Sequence, residues 1–329
     1  MIKLTIAISV YNVARYIRQA LDSVLAQTFK DFELLVIDDC SKDETWQILE
    51  EYAAKDSRIR LIKQEKNQGL SVSRNRAIAE AKGEYLLMLD GDDMFAPDMA
   101  EKALNTAECK GADMVLWDYC TFYQEVEIPT KIAVPSAMAT LDPTDKLGLL
   151  RRPSFSPSRM TRTEVLRRLK IHFPEGMTKQ DIPIHWRLVT ALDKIAILPE
   201  RMLYYRQNPY NTTNRKDRSV FSLAYVMDIA GRQLREDGLY DRYRREYLRS
   251  RLNLLQGMYD QVKPELKAEA LSLIGERLDD DAKAYILSKD NECSPRTTMF
   301  LKGYFMGNWW NKMKYDAMIA ARSIYRRLK

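Results

Sequence analysis

Between Lys3 and Asp118 short β-branched apolar runs alternate with segments of helical spacing, and this alternation restricts the fold more than any other feature. Lys3–Val10, Phe32–Ile37, Arg58–Lys63, Glu84–Leu89 and Asp113–Asp118 read as strands. After the first of them, Ile17, Ala20, Leu21, Val24 and Leu25 fall at i, i+3, i+4, i+7 and i+8, one face of a helix. Ser41 with Glu44 makes a capping-box pattern ahead of the helix that carries Trp46, Leu49 and Ala53. Leu70–Ala81 is predicted as a third helix with Gly83 suited to its C-terminal end. Pro97–Lys110 is predicted as a fourth, with proline near its first turn. Strands and helices in strict turn require crossovers, so the expected class is α/β, a mostly parallel central sheet with helices on both faces.

The alternation fades after Tyr119. Pro129, Pro135 and Pro143 break the stretch to Lys146 into loops or edge strands. Helical spacing returns at Thr163–Lys170 and Ile182–Leu192, and Ala196–Tyr205 reads as a strand. Beyond about Val220 only helical patterns remain, over Phe221–Arg235, Tyr240–Val262 and Pro264–Asp279. The expected division is a larger domain over 1–220 and a helical C-terminal region over 221–329, without internal repeats. With 46% hydrophobic residues in 329, both parts can bury a core.

Several function classes are disfavoured at once. No run approaches the roughly 18 apolar residues of a membrane span, and the apolar start, Met1–Val10, runs straight into Tyr11, Asn12 and Arg15. A signal peptide is therefore not expected. Cys40, Cys109, Cys120 and Cys293 are scattered without a Cys-x-x-Cys pair, so neither a zinc site nor a disulfide framework is expected, and a cytoplasmic location fits. Residues 296–329 hold eight Lys/Arg against Asp316 alone, net +7, whereas the whole chain is +6. The remainder is thus close to neutral and offers no basic groove for nucleic acid.

In open α/β sheets ligands bind beyond the carboxyl ends of the strands. Three predicted strands deliver unusual residues there: Tyr11-Asn12, Asp38-Asp39 and Asp90-Gly91-Asp92-Asp93. Two carboxylates about 4 Å apart near a protein surface repel by roughly 4 kcal/mol, so such a rim calls for positive charge. A hard divalent cation, Mg²⁺ or Mn²⁺, fits, because it takes oxygen ligands and is commonly shared between carboxylates and substrate phosphates. Gly91 would let backbone approach the ligand. The plainer alternative is a turn, with Asp92 capping a helix. Asp39–Asp43 likewise reads either as a ligand loop or as a lead into a helix capped by Asp43. Asn67-Gln68-Gly69-Leu70-Ser71 precedes a helix bearing Arg74-Asn75-Arg76, where arginine is either a phosphate partner or a solvated face.

Taken in order, Ile8-Ser9-Val10-Tyr11-Asn12, Val36-Ile37-Asp38-Asp39-Cys40-Ser41-Lys42-Asp43, Asn67-Gln68-Gly69-Leu70-Ser71 with Arg74-Asn75, and Met88-Leu89-Asp90-Gly91-Asp92-Asp93 resemble the successive signatures of family 2 glycosyltransferases. The resemblance covers roughly residues 1–120 and implies the GT-A nucleotide-sugar-binding fold, with 1–120 as donor half and 121–220 as acceptor half. It implies transfer with inversion, a nucleotide-sugar donor (a UDP-sugar), and a glycan or lipid-linked acceptor of the cell-surface polysaccharide type. By the same resemblance Asp39 contacts the base, Arg74 lies near the diphosphate, and Asp90 and Asp92 surround the ribose and metal. Tyr11, Asn12, Gly69 and Gly91 complete that donor set. Cys40 stands where the family usually has glycine.

Phe173-Pro174-Glu175-Gly176-Met177-Thr178-Lys179-Gln180-Asp181-Ile182-Pro183 resembles the family's acceptor-side segment, with Gln180 in place of the first acid and Asp181 at the catalytic base. One base suffices for an inverting transfer; the change to Gln180 removes a charge that would raise its neighbour's pKa. Alternatively Asp181 only caps a helix. Leu203-Tyr204-Tyr205-Arg206 and Asn211-Thr212-Thr213 resemble the stretch that closes the catalytic domain, where Arg206 adds charge near the leaving diphosphate or else is a surface residue. Ser154, Ser156, Ser158 and Arg159 are placed at the acceptor cleft by position alone. His172 and His185 lack any partner pattern and read as structural or surface residues. A catalytically silent binding or scaffolding protein is the competing function. A sugar nucleotidyltransferase is disfavoured because Tyr11-Asn12 occupies the place of its glycine-rich loop.

The tail over 296–329 mixes its basic residues with Phe300, Tyr304, Phe305, Trp309, Trp310, Tyr315 and Tyr325, and Ala317, Ala321, Ile324 and Leu328 share a helical face. This is the pattern of a helix lying on an anionic membrane, here the inner face. Against it stands packing of the aromatics on the catalytic domain or in a contact between copies of a homo-oligomer, with Arg322, Arg326 and Lys329 left solvated.

Overall fold

The computed structural model describes residues 2–123, 136–207 and 215–327, with side chains described through residue 321 except at 137. It divides into two compact units, Met1–Asn211 and Thr212–Lys329. The Asn211-Thr212-Thr213 motif lies outside the described residues.

In the first unit the order is β1 (Leu4–Val10), α1 (Ile17–Leu25), β2 (Phe32–Asp38), α2 (Thr45–Ala53), β3 (Ile59–Lys63), α3 (Leu70–Glu80), β4 (Tyr85–Asp90), β5 (Met94–Phe95) and α4 (Met99–Lys110). There follow β6 (Met114–Tyr123), α5 (Lys146–Leu150), β7 (Arg159–Arg162), α6 (Thr163–Arg168), α7 (Asp181–Ala191) and β8 (Ile195–Gln207). The strands form one sheet in the order β3-β2-β1-β4-β7-β6-β8-β5. The four strands from β3 to β4 are mutually parallel, as are β6 and β8, while β7 and β5 run against their neighbours. All seven residues of β2 and six of seven in β1 are buried, as expected where helices cover both faces of a parallel sheet. Register fixes the rim: β1 pairs Val10 with Asp38 on one side and Ser9 with Asp90 on the other.

Two strands were invisible to the sequence pattern. β7 reads Arg-Met-Thr-Arg, too short and polar to show alternation, yet it joins β4 to β6. β5 is only two residues, directly after the acidic turn.

Local signals also need correction. Ser41 does not cap α2: its hydroxyl donates to Asp38, and the Asp43 carboxylate instead accepts from the amides of Thr45 (3.0 Å) and Ala14 (3.1 Å). Nor does Gly83 close α3. A Cβ there would sit 2.3 Å from the Thr5 nitrogen, so the glycine exists to let the chain pass β1. Pro97 precedes α4 by two residues, and its carbonyl accepts from the Thr28 amide.

The second unit holds α8 (Ser222–Glu236), α9 (Tyr240–Gln261), α10 (Lys267–Glu276), α11 (Asp280–Leu287), α12 (Pro295–Phe305) and α13 (Trp309–Arg327). Buried Tyr243, Tyr247, Leu248, Leu252, Leu255 and Met258 line one side of α9, the period expected of a central helix. Its buried Arg251 is satisfied by Asp228, Asp279 and the Arg277 carbonyl. Tail aromatics complete this core: Phe300 and Tyr315 are buried, and both stack with Tyr304 and with Tyr259 of α9. Gly303 permits the α12–α13 crossing, since a Cβ would lie 2.6 Å from the Lys312 nitrogen. These rings therefore pack, though within their own helical unit. Trp309 and Trp310 are different, at 55% and 60% exposed. No described helix is long and apolar enough to cross a membrane.

Gly83→Ala should lower unfolding stability by about 2 kcal/mol or more, because its Cβ meets β1 backbone that cannot yield. Urea denaturation measures this, and the same change at Gly257, where a Cβ meets nothing within 4 Å, should be neutral or stabilising.

Candidate active site

Asp38 and Asp39 leave β2 fully buried and do different work. Asp38 accepts from the Ser41 amide and hydroxyl, folding the next turn back. Across that turn Asn12 accepts from the Lys42 amide (2.7 Å) and donates its own amide to Ser41 (3.0 Å). Asn12 and Cys40 both sit in the left-handed region, at φ 52° and 63°. That conformation favours glycine, which explains why Cys40 is a departure there. Asp39 accepts from the amides of Gln68 (2.8 Å) and Gly69 (2.7 Å) and from the Gln64 amide group (2.7 Å). It thus ties the end of β2 to the start of α3, where Gly69 takes φ 89°. Tyr11 is exposed beside them.

From α3 the side chains reach the other half of the unit. Ser71 donates to the Pro174 carbonyl (2.7 Å), and Asn75 exchanges bonds with the Phe173 amide (2.7 Å) and carbonyl (3.0 Å). Between them Arg74, 2% exposed, is no solvated arginine. One of its terminal nitrogens donates to both carboxylate oxygens of Asp181 (2.9 and 3.0 Å) and the other to Asp90 (2.7 Å). Its guanidinium lies 5.4 Å from the Phe173 ring centre.

Asp181 is the first residue of α7, yet its carboxylate caps nothing. It turns instead toward Arg74, the Ser156 amide (3.2 Å) and the Ser156 hydroxyl. Burial would push this carboxyl up, but Arg74, then Arg159, and the Ser156 hydroxyl hold it below the usual carboxylate range. Arg159 is itself buried, which pulls it down to about 10, with one terminal nitrogen lacking a hydrogen-bond partner among the described residues. Gln180 is buried at the helix N-cap and makes no cap bond. Of the acceptor-cleft candidates, Ser156 and Arg159 are thus placed around Asp181, while the Ser158 hydroxyl only closes on the Phe155 carbonyl. His185 is structural, buried against the Leu149 carbonyl and pulled down to about 3 by burial; His172 is exposed.

The acidic loop is a turn, closed by the Asp93 amide donating to the Asp90 carbonyl (3.0 Å). Asp92 does not cap a helix, since β5 follows. Gly91 is needed for protein contact: a Cβ would meet Val10 at 2.8 Å and Val13 at 3.1 Å. Asp93, unassigned by sequence reasoning, is fully buried. One oxygen accepts from the Arg206 amide (2.8 Å) and the other has no partner among the described residues. Burial, then the charges of Asp92 and Asp90, raise its carboxyl well above the usual range. Arg206 is not a surface residue. At 1% exposed it lies between the Tyr16 and Phe122 rings, donates to the Asp92 carbonyl (2.8 Å) and to Gln19, and so braces the acidic turn from behind.

This donor set suits a hard cation that keeps phosphate ligands. Three carboxylates leave one short turn, and one buried Asp93 oxygen awaits a partner. Among the described residues no cluster of three or more His, Cys, Asp or Glu could enclose a metal by itself.

Arg74→Ala would strand Asp181 and Asp90, and should cost about 3 kcal/mol or more by chemical denaturation. The acid limb has a definite sign. Asp181 is depressed from an unfolded value near 3.9, so its pairing stabilises the fold fully above that pH and is lost as pH falls through the folded value. The stability gap between the parent chain and Asp181→Asn should therefore be widest near neutrality and narrow as pH falls below the unfolded value of about 3.9.

The family model described as glycosyl transferase family 2 matches residues 5–170. An uncharacterized glycosyltransferase of Bacillus subtilis, EpsJ, is 29% identical over 218 residues, 64% of this chain and 62% of that relative, less than two thirds of its length. The crystal structure of Staphylococcus aureus TarS residues 1–349 in complex with UDP-GlcNAc superposes with a TM-score of 0.75 at 21% identity, covering 99% of this chain and 92% of that one. A mannosyltransferase of Pyrobaculum calidifontis in complex with GDP-Man and Mn²⁺ gives 0.53 at 16% identity, over 94% and 88%. The family model spans half of the chain and the fold agrees with it, so the chain belongs to glycosyl transferase family 2, with the GT-A type of fold.

Proposed function

We propose that this chain transfers a sugar from a nucleoside-diphosphate donor, a UDP-sugar, to a hydroxyl of a glycan or lipid-linked glycan, with inversion at the anomeric carbon. One observation carries the reading: Arg74 holds donor-side Asp90 and acceptor-side Asp181 on a single guanidinium. The motifs on which nucleotide and acceptor are expected therefore meet at one point.

In the proposed reaction Asp181 accepts the proton of the acceptor hydroxyl as that oxygen bonds to the anomeric carbon. The bond from that carbon to the diphosphate breaks, and the nucleoside diphosphate leaves. Asp39, Tyr11, Asn12 and Gly69 would line the nucleoside, with Asp39 fixing the loop before α3. Asp92 and Asp90, with Asp93 beneath, would hold Mg²⁺ or Mn²⁺, which neutralises charge developing on the diphosphate. Arg206 supports the turn rather than the phosphates. Held by Arg74 and Ser156, Asp181 is a weak base. Diphosphate oxygens compete for Arg74, and each contact they draw from Asp181 raises its basicity. On the acceptor side Tyr119 and Phe155 each pack edge to face on Tyr205 and tilted on each other beside Ser156, with centres 4.8–6.0 Å apart. Such a half-buried aromatic wall suits the apolar face of a sugar ring.

Isothermal titration with a nucleotide panel should show binding strengthened by Mn²⁺ and lost as an effect in Asp92→Ala. Asp181→Ala should keep nucleotide affinity while lowering transfer by about 10²–10⁴-fold. Transfer that survives this change would remove Asp181 as the base. Binding without transfer in the parent chain would favour a silent nucleotide-sugar-binding protein.

A further inference from the structure

We infer that α13 is a docking element for an anionic lipid surface, inserted through Trp309, Trp310 and Met313. The inference rests on the helical unit alone and is independent of the chemistry proposed for the first unit. Buried Tyr315 turns one side of α13 into its own core, where the hydroxyl donates to Asp260 and accepts from the Gln256 amide group (3.2 Å). On the other side the exposed residues Trp310, Met313, Ala317 and Ala320 or Ala321 follow one another at steps of three or four, a single helical stripe. The sequence continues that spacing through Ile324 and Leu328. Trp309 and Trp310 stack at the head of the stripe, centres 4.2 Å apart at 25°, and Met313 is 53% exposed. Large apolar side chains open to water in this arrangement call for a partner.

Charge selects the partner. From residue 309 to the end the sequence has six Lys/Arg and one acid, Asp316. Asp316 is already engaged, accepting from the Tyr304 hydroxyl (2.7 Å). Lys314, next to Met313, is exposed, and Lys312 is exposed with its ammonium over the Tyr304 ring, 5.2 Å from the ring centre. Arg296, by contrast, is paired with Asp260 inside the unit and does not count toward the surface. Indole rings favour the water–lipid boundary. The described part of the stripe behind them is built of alanine and methionine, shallow enough to lie in an interface rather than to fill a protein groove. Aromatic and apolar residues on one face, with lysine beside them, make a helix that lies on anionic headgroups.

The test is flotation of the full chain with phosphatidylglycerol-rich vesicles and with pure phosphatidylcholine vesicles. Strong binding is expected only to the former, weakening as salt is raised. The triple change Trp309→Ser, Trp310→Ser, Met313→Ser should reduce binding about tenfold, and Lys312→Glu with Lys314→Glu should reduce it while leaving the apolar stripe intact. Circular dichroism and nucleotide titration of each variant, both expected unchanged, separate loss of docking from misfolding and from failure of the nucleotide reading. Equal binding to both vesicles, no binding by the parent chain, or undiminished binding by the triple variant would overturn the inference. So would a self-association in sedimentation that the triple change abolishes while vesicles are ignored, which would assign the stripe to a second copy.

Discussion

Arg74 is the constraint around which the first unit is arranged. A guanidinium taken almost wholly out of water is tolerable only if it meets fixed acceptors, and here it meets Asp90 at the end of β4 and Asp181 at the start of α7. These residues are 91 positions apart in the chain. Neither carboxylate can shift far without exposing the cost of the buried cation, so the acidic rim and the segment carrying Asp181 are held in register by charge as well as by packing. The same contact quiets the proposed base, since a carboxylate bound twice by arginine has little affinity for a proton.

The helix carrying that arginine is positioned just as firmly. Its N-terminus is set by Asp39 accepting two backbone amides, and its Ser71 and Asn75 grip backbone at residues 173–174. Three short polar side chains therefore translate the end of β2 into the location of the segment that brings Asp181. The acidic turn is supported from the opposite side, where Arg206 on β8 reaches Asp92 and Asp93 while lying between two rings. Two buried arginines thus have different duties, Arg74 facing the rim and Arg206 behind it.

What could be read from sequence follows from which forces are local. The strands β1 to β4 and their helices announce themselves because apolar periodicity is a property of neighbouring residues, and the rim residues follow from where those strands end. β7 escaped because a four-residue antiparallel strand with one buried methionine carries almost no period. Ser156 and Arg159 could be placed near the acceptor side by position, but their grip on Asp181 depends on β7 lying between β4 and β6. Asp93 was in plain view within an acidic motif, but its burial depends on Arg206, more than a hundred residues away. Gly83 and Gly91 show a related limit: each is explained by a neighbour that sequence does not reveal, backbone of β1 in one case and Val10 with Val13 in the other.

The C-terminal aromatics show how one composition can serve two purposes. Read as a string, Phe300 through Tyr325 offers rings and positive charge at every turn, and periodicity cannot tell a ring that fills a core from one that meets a solvent boundary. The fold separates them by partner. Tyr304 and Tyr315 spend their hydroxyls on Asp316 and Asp260, and Phe300 sits among tyrosines. Those rings are bound by geometry to their own unit. Trp309 and Trp310 follow the glycine turn at Gly307 and stack only on each other within that cluster. Had they been core residues, the close α12–α13 approach at Gly303 would have drawn them inward, since it brings Lys312 backbone within the reach of a single methyl group. That they remain outside beside so close a crossing means the core is already complete without them, and it is this completeness that leaves their surface for something other than folding.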